Sequence, residues 1–251
     1  MMQQNLSSKR NNLRVYIGSS LLFAYIVIST LIIGPIILLA SVLPFSIRYQ
    51  IAQLWIKTLF WVLKTTCGLT YEVRGLENIP KNQSCIVLSK HQSAWETVAL
   101  RLFLPPQTAL LKRSLLWIPI GGWALATLKP IAIDRENQRE ALKALIEQGM
   151  ARLKEGLFVV IFPEGTRAAP GENKKFNAGG AMLAQKSAYP VIPLAHNAGE
   201  FWPRYSFLKY PGTIQVRIGP VIQTEGKKAK EINAEAETWI AQAMAEISQS
   251  T

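Results

Sequence analysis

Two histidines and two cysteines are all that the 251-residue sequence holds of those residue types, and their scarcity removes whole classes of chemistry. Cys67 and Cys85 are too few for a disulfide framework and form no CxxC pair, so a disulfide-stapled secreted fold is excluded and a reducing, cytosol-facing environment fits. His91 and His196 have no compact ligand set around them, which leaves zinc chemistry without its ligands and gives no reason to expect a metal. No G-x-S-x-G occurs, and with it goes the nucleophile elbow of a serine hydrolase. Neither an aromatic-interleaved RNP pattern nor zinc-finger spacing accompanies the basic residues, so nucleic acid is not an expected partner. Internal repeats, low-complexity tracts and linkers are also missing.

Acidic residues are in short supply, at 16 against 28 Lys plus Arg, for a net charge of +12 that favours phosphorylated substrates and acidic lipid head groups. No charged residue at all occurs from Val15 through Ile47. A bilayer core asks for about 20 apolar residues, and this run is too long for a signal-peptide core and has no A-x-A-like site, so it is expected to be retained. Gly34-Pro35 predicts a kink or a helical hairpin near its middle. Lys9, Arg10 and Arg14 precede the run, and Arg48, Lys57 and Lys64 follow it, which places both ends on the cytoplasmic side. From Ile47 to Leu63, Trp55, Phe60 and Trp61 lie among Lys57 and Lys64 as in an interfacial amphipathic helix. Residues 1–67 are therefore expected to form a membrane-associated helical segment; the competing reading is a buried core helix pair.

From residue 68 to 251 short apolar runs alternate with longer helical stretches, the pattern of an α/β layer fold with a mixed, largely parallel sheet flanked by helices. Strands are expected at Tyr71 to Val73, Cys85 to Leu88, Ala109 to Leu111, Ile131 to Ile133, Phe158 to Ile161, Val191 to Leu194 and Ile214 to Ile218. Ala141, Leu142, Leu145, Ile146, Met150 and Leu153 make an apolar helical stripe behind a possible Asn137 cap. A final helix from about Lys228 to Ile247 would cover the sheet.

Four clusters fall at the ends of those strands, where open α/β sheets place ligands. The first is Lys90-His91-Gln92-Ser93-Ala94-Trp95-Glu96-Thr97. Ser93 and Glu96 fit the S-x-x-E capping box, on which reading Glu96 is only a cap. On a continuous helix His91 and Glu96 would diverge by about 140°; with His91 in the preceding loop and Glu96 in the first turn, the imidazole can fold back onto the carboxylate as a His/acid dyad. Both readings stand at this point. Phe162-Pro163-Glu164-Gly165-Thr166-Arg167 follows another strand; Pro163 ends it, Gly165 permits a tight turn, and Thr166 and Arg167 present donors suited to phosphate, unless this is an ordinary turn. Ile131-Ala132-Ile133-Asp134-Arg135 closes with a charged pair that is either a surface ion pair or a second phosphate contact. Val191-Ile192-Pro193-Leu194-Ala195-His196 suits the lining of an acyl channel and, equally, a packed core strand.

Together these clusters resemble the 1-acylglycerol-3-phosphate acyltransferase family over nearly the whole chain, with FPEGTR the most specific match. Lys112-Arg113-Ser114-Leu115-Leu116-Trp117-Ile118-Pro119-Ile120-Gly121-Gly122, leading into IAIDR, is similar to the family's second block and VIPLAHNAG to its fourth. Where the family has histidine, four residues, then aspartate, this chain has His91 and Glu96, one methylene longer, and Lys90 stands where asparagine is common. The resemblance implies that His91 is a general base oriented by Glu96, and that Lys112, Arg135, Gly165, Thr166 and Arg167 hold a phosphate. Glu164 would organise its turn or bind glycerol. It further implies lysophosphatidic acid as acceptor, acyl-CoA or acyl carrier protein as donor and co-substrate with no other cofactor, and a catalytic domain on the cytoplasmic side of the inner membrane. Acylation of another lysolipid, such as a lyso-ornithine lipid, and an inactive lipid-binding relative are the alternatives.

Overall fold

A computed structural model describes residues 13–134, 136–172 and 174–248. Helix α1 runs Leu13–Leu39, a 3₁₀ turn covers Ala40–Val42, and α2 runs Phe45–Cys67. The two lie side by side so closely that a methyl group on Gly18 would stand 2.3 Å from the Thr66 carbonyl oxygen. This is a helical hairpin, but its bend is not at Gly34-Pro35, through which α1 passes unbroken. Proline inside a helix costs about 3 kcal/mol, and the packing of α1 along α2 offsets it. The chain turns instead at Leu43-Pro44, where proline precedes the first residue of α2 and needs no intrahelical partner.

The expectation of an interfacial helix over Ile47 to Leu63 also needs correction. Ile56, Leu59, Phe60 and Leu63 are buried in the same cluster as the sheet residues Val87, Val160, Ile192 and Ile214. The apolar face of α2 is therefore committed to the protein core, with Leu54 and Trp61 left outside. Trp55 is tied inward, donating Nε1–H to Ser29 Oγ at 2.9 Å.

All seven expected strands form: β1 (Leu69–Arg74), β2 (Ile86–Ser89), β3 (Gln107–Lys112), β4 (Ile131–Ile133), β5 (Phe158–Ile161), β6 (Val191–His196) and β7 (Gly212–Ile218). Their order is β1-β7-β6-β2-β5-β3-β4. β6 and β7 pair antiparallel and the other neighbours parallel, as a mixed, largely parallel sheet requires. Alternation along β2 sends Val87 to the face covered by α1, α2 and α3 (Trp95–Phe103), and Ile86 and Leu88 to the other. That second face is covered by α5 (Gln138–Lys154), α6 (Gly179–Ser187) and α8 (Ala229–Ile247), while the short α4 (Gly121–Ala126) packs on the hairpin and α7 (Ala198–Phe201) joins the first face's core. Asn137 caps α5 as expected, its side chain accepting the Glu140 N–H at 3.2 Å. Because β2, β3, β4, β5 and β6 are parallel, their carboxyl ends share one edge, where the turn after β2 and the loop after β5 come together.

Candidate active site

The turn after β2 is built almost entirely from buried polar groups. Helix α3 starts at Trp95, so His91 remains in the loop and Glu96 falls in the first turn. His91 Nδ1 lies 2.7 Å from Glu96 Oε1, and the same oxygen accepts the N–H groups of Gln92 at 2.9 Å and Ser93 at 2.8 Å. Only half of the expected capping box forms: Ser93 Oγ accepts from Trp95 N–H at 3.1 Å and donates to the Trp202 carbonyl at 2.6 Å, rather than reaching the Glu96 N–H. Glu96 thus serves the helix entrance and the imidazole with one oxygen. Burial works to raise its pKa, yet the His91 contact and the backbone donors hold the carboxyl below the usual range. Three donors on one oxygen mark an ionised carboxylate, which fixes the Nδ1–H tautomer of His91. Nε2 of His91 has no hydrogen-bond partner among the described residues.

The loop after β5 clamps the His91 backbone from both sides. Glu164 Oε2 accepts the His91 N–H at 2.8 Å, and Ala168 N–H donates to the His91 carbonyl at 2.8 Å. Phe162 stacks on the imidazole with ring centroids 4.2 Å apart and planes 19° from parallel. Glu164 is itself buried and receives a hydrogen bond from the Lys90 ammonium. Burial lifts the Glu164 carboxyl above the usual range, and Lys90 and the His91 N–H oppose that rise. Gly165 has φ 73°, the left-handed region that favours glycine, and this turn sends Thr166 and Arg167 outward.

His91, Lys112, Phe162, Thr166 and Arg167 all line one cavity of about 540 Å³. Apolar side chains line it as well: Ile33, Ile37 and Ile56 from the hairpin, with Ala124 and Leu128. Of the expected site residues, His91 and Glu96 are in contact, Glu164 and Gly165 shape the loop, and Lys112, Thr166 and Arg167 face the cavity with His91. Arg135 lies outside the described residues. Asp134, beside it, is exposed and accepts the Glu136 N–H at 3.1 Å. All six residues of Val191–His196 are buried and none lines the cavity, so this segment is a packed core strand and not a channel wall. Among the described residues no group of three or more His, Cys, Asp or Glu is arranged to hold a metal.

The family model described as Acyltransferase matches residues 70–197, which span every motif cluster. The 1-acyl-sn-glycerol-3-phosphate acyltransferase of Pseudomonas aeruginosa is 51% identical over 214 residues, covering 84% of this chain and 83% of that protein. The chain belongs to the 1-acyl-sn-glycerol-3-phosphate acyltransferase family. The alpha form of that enzyme from Bos taurus is 31% identical over 177 residues, covering 70% of this chain and 62% of its own length. The crystal structure of the LPA acyltransferase PlsC from Thermotoga maritima shares the fold, with a TM-score of 0.80 over 95% of this chain and 98% of that one, at 23% identity.

Two side chains of this acyltransferase escaped the sequence reading. Lys174 donates to Thr166 Oγ1 at 3.0 Å, and Lys174 and Arg204 both donate to the Arg167 carbonyl, at 3.3 and 2.5 Å. Lys174 shares a loop with Thr166 and was within reach of sequence reasoning; Arg204 comes from beyond β6 and was not. His196 is fully buried, its Nε2–H donating to the Lys90 carbonyl at 2.9 Å and its Nδ1 accepting the Ala198 N–H at 3.3 Å. Burial pushes its pKa down, against the pull of Glu96. With donor and acceptor both fixed, it is a neutral imidazole. It stands 3.9 Å from Glu96 Oε2, an oxygen without a hydrogen-bond partner among the described residues.

Proposed function

We infer that this acyltransferase moves an acyl group from an acyl thioester, acyl-CoA or acyl carrier protein, to the sn-2 hydroxyl of 1-acyl-sn-glycerol-3-phosphate, giving phosphatidic acid for phospholipid biosynthesis. The observation that carries the reading is one cavity lined both by a carboxylate-oriented histidine with phosphate-seeking donors and by apolar side chains of the N-terminal hairpin. His91 Nε2 takes the hydroxyl proton as that oxygen attacks the thioester carbonyl. The tetrahedral intermediate collapses with cleavage of the C–S bond, and the imidazolium returns the proton to the departing thiolate. Glu96 stabilises the imidazolium, and general-base help of this kind is worth roughly 10²- to 10⁴-fold. Thr166 and Arg167, with Lys112, hold the phosphate and bring the glycerol hydroxyl to His91, while Arg135 adds a further contact. Glu164 sets the His91 backbone rather than touching phosphate. The apolar wall receives acyl chain.

Residues 13–67 hold the catalytic part against the cytoplasmic face of the inner membrane, since α1 alone is long and apolar enough to enter a bilayer. The test is purified protein with acyl thioester and competing lysolipid acceptors. Thiol release that follows lysophosphatidic acid supports the reading. Preference for a lyso-ornithine lipid would replace the acceptor, and acceptor binding without thiol release would sink the enzyme reading altogether.

A further inference from the structure

The segment between β3 and α4 has two faces that the acyl-transfer reading uses unequally. On the inner face Leu115, Gly121, Ala124 and Leu125 line the cavity. The outer face carries Trp117, Ile118 and Trp123, which are 77%, 51% and 49% exposed, do not line the cavity and have no place in the mechanism. Exposing two tryptophans and an isoleucine so close together is costly unless something apolar covers them. The segment is also held in one place. Ile120 has φ 62°, a conformation that a β-branched residue keeps only where its surroundings impose it, and it sits so close to α1 that a methyl group on Gly34 would stand 2.4 Å from its Cγ2.

The contact with α1 tells what the outer face adjoins. Counting about 100° per helical residue, Val27 and Leu31 lie roughly 60° and 100° round the helix from Thr30, which with Gly34 forms the contact. Both are exposed, as are Ile28 and Ile32 further round, so the outer face extends the bare apolar strip of α1. Lys112 and Arg113, exposed at the root of the segment, supply positive charge where apolar gives way to polar surface. Tryptophan and basic side chains at such a boundary are what a bilayer interface with anionic head groups selects. A single protein partner would have to cover this outer face and the exposed strip of α1 together. We propose that residues 113–123 form a second membrane-contacting element, a lip whose Trp117, Ile118 and Trp123 enter the bilayer interface beside α1. The lip deepens the acyl-transfer reading and rests on it, because the cavity wall formed by Leu115 and Gly121 would then lie against the lipid that supplies the acceptor.

Two measurements test the lip on the full chain. In the first, Trp117→Ser/Ile118→Ser/Trp123→Ser is compared with the parent for cosedimentation with phosphatidylethanolamine–phosphatidylglycerol vesicles and for turnover of detergent-dispersed lysophosphatidic acid. Vesicle binding should fall by about tenfold or more, with detergent turnover within about twofold because none of the three lines the cavity. Unchanged vesicle binding overturns the lip, whereas no turnover by the parent in detergent would overturn the acyl-transfer reading and leave the vesicle result standing. The second measurement keeps the native surface almost intact and covers the case in which the triple variant fails to fold. Ile118→Cys is labelled with an environment-sensitive fluorophore, the native cysteines being buried, with Thr238→Cys on α8 as reference. A blue shift on adding vesicles at position 118 and none at 238 supports the lip; no shift at 118 overturns it.

Discussion

The turn after β2 and the loop after β5 differ in where they direct their polar groups. In the first, Ser89, Lys90, Gln92, Ser93 and Glu96 are all buried and bonded inward, leaving His91 as the group that reaches the cavity. In the second, Glu164 points inward to the His91 backbone while Thr166 and Arg167 stand at the cavity, steadied from behind by Lys174 and Arg204. The proposed base has to meet its hydroxyl within a few tenths of an ångström, which fits an over-determined turn; the proposed phosphate is large, symmetric and mobile, so donors that are merely near would serve it. The same chain thus separates rigidity from reach across two neighbouring strands.

Substitutions in the rigid turn should have the largest effect. His91→Ala is expected to lower turnover by roughly 10²- to 10⁴-fold while the thermal midpoint stays within a few degrees; retention of a tenth of normal turnover would remove His91 from the chemistry. Glu96→Gln separates the two tasks of that carboxylate. Glutamine still accepts from Gln92 and Ser93, so folding should hold, but it lacks the charge that supports the imidazolium, and turnover should drop about as steeply as without the base. Near-normal turnover in Glu96→Gln would leave Glu96 a cap.

The next effect is on stability and tests the inward half of the second loop. Glu164→Ala leaves Lys90 buried without its carboxylate, a loss of about 3 to 5 kcal/mol readable in urea unfolding. Replacing both with methionine should recover most of it, and a mild Glu164→Ala would show that the pair is not what fixes the His91 backbone. Smaller still is the outward half. Arg167→Ala removes a charge-assisted contact worth about 1.5 to 3 kcal/mol, which should appear as a higher KM for lysophosphatidic acid with kcat nearly kept. A change confined to the thioester KM would move Arg167 to the donor side.

The smallest effect belongs to His196. Burial holds its pKa below the ordinary 6.5, so the unfolded chain takes up a proton that the folded chain refuses. Its contribution to stability is therefore complete above about pH 6.5 and declines as the pH falls below that value, by at most about 1.4 kcal/mol per unit. His196→Asn, which cannot titrate, should flatten that part of the stability profile. An unchanged slope would mean that the imidazole is protonated in the fold.

How far the sequence could be read follows from the range of each interaction. Strands such as Phe158–Ile161 are short branched runs bounded by glycine and proline, and α5 carries its cap and stripe within one window, so both were legible. Glu96 could be matched to His91 because five residues and a loop suffice to join them. The hairpin was legible but its bend was not: Gly34-Pro35 is the stronger local breaker, and only the packing of α1 against α2 shows that the chain turns later. Lys90 with Glu164, and His196 with Lys90, depend on which strands are neighbours, information that no single stretch contains. The apolar face of α2 suited a bilayer or a core equally well, and the sheet decides between them.

The clamp on His91 has a consequence for the history of each molecule. Its N–H and carbonyl are gripped by residues more than seventy positions further along the chain, and the carbonyl of the preceding residue by one more than a hundred positions on. Such long-range closures come late in folding. A ribosome-bound or half-assembled chain that has already made its apolar hairpin therefore has a loose, misdirected imidazole. Acyl transfer begins only with the strand pairings that complete the sheet, so activity regained after dilution from denaturant should lag behind the recovery of helical signal.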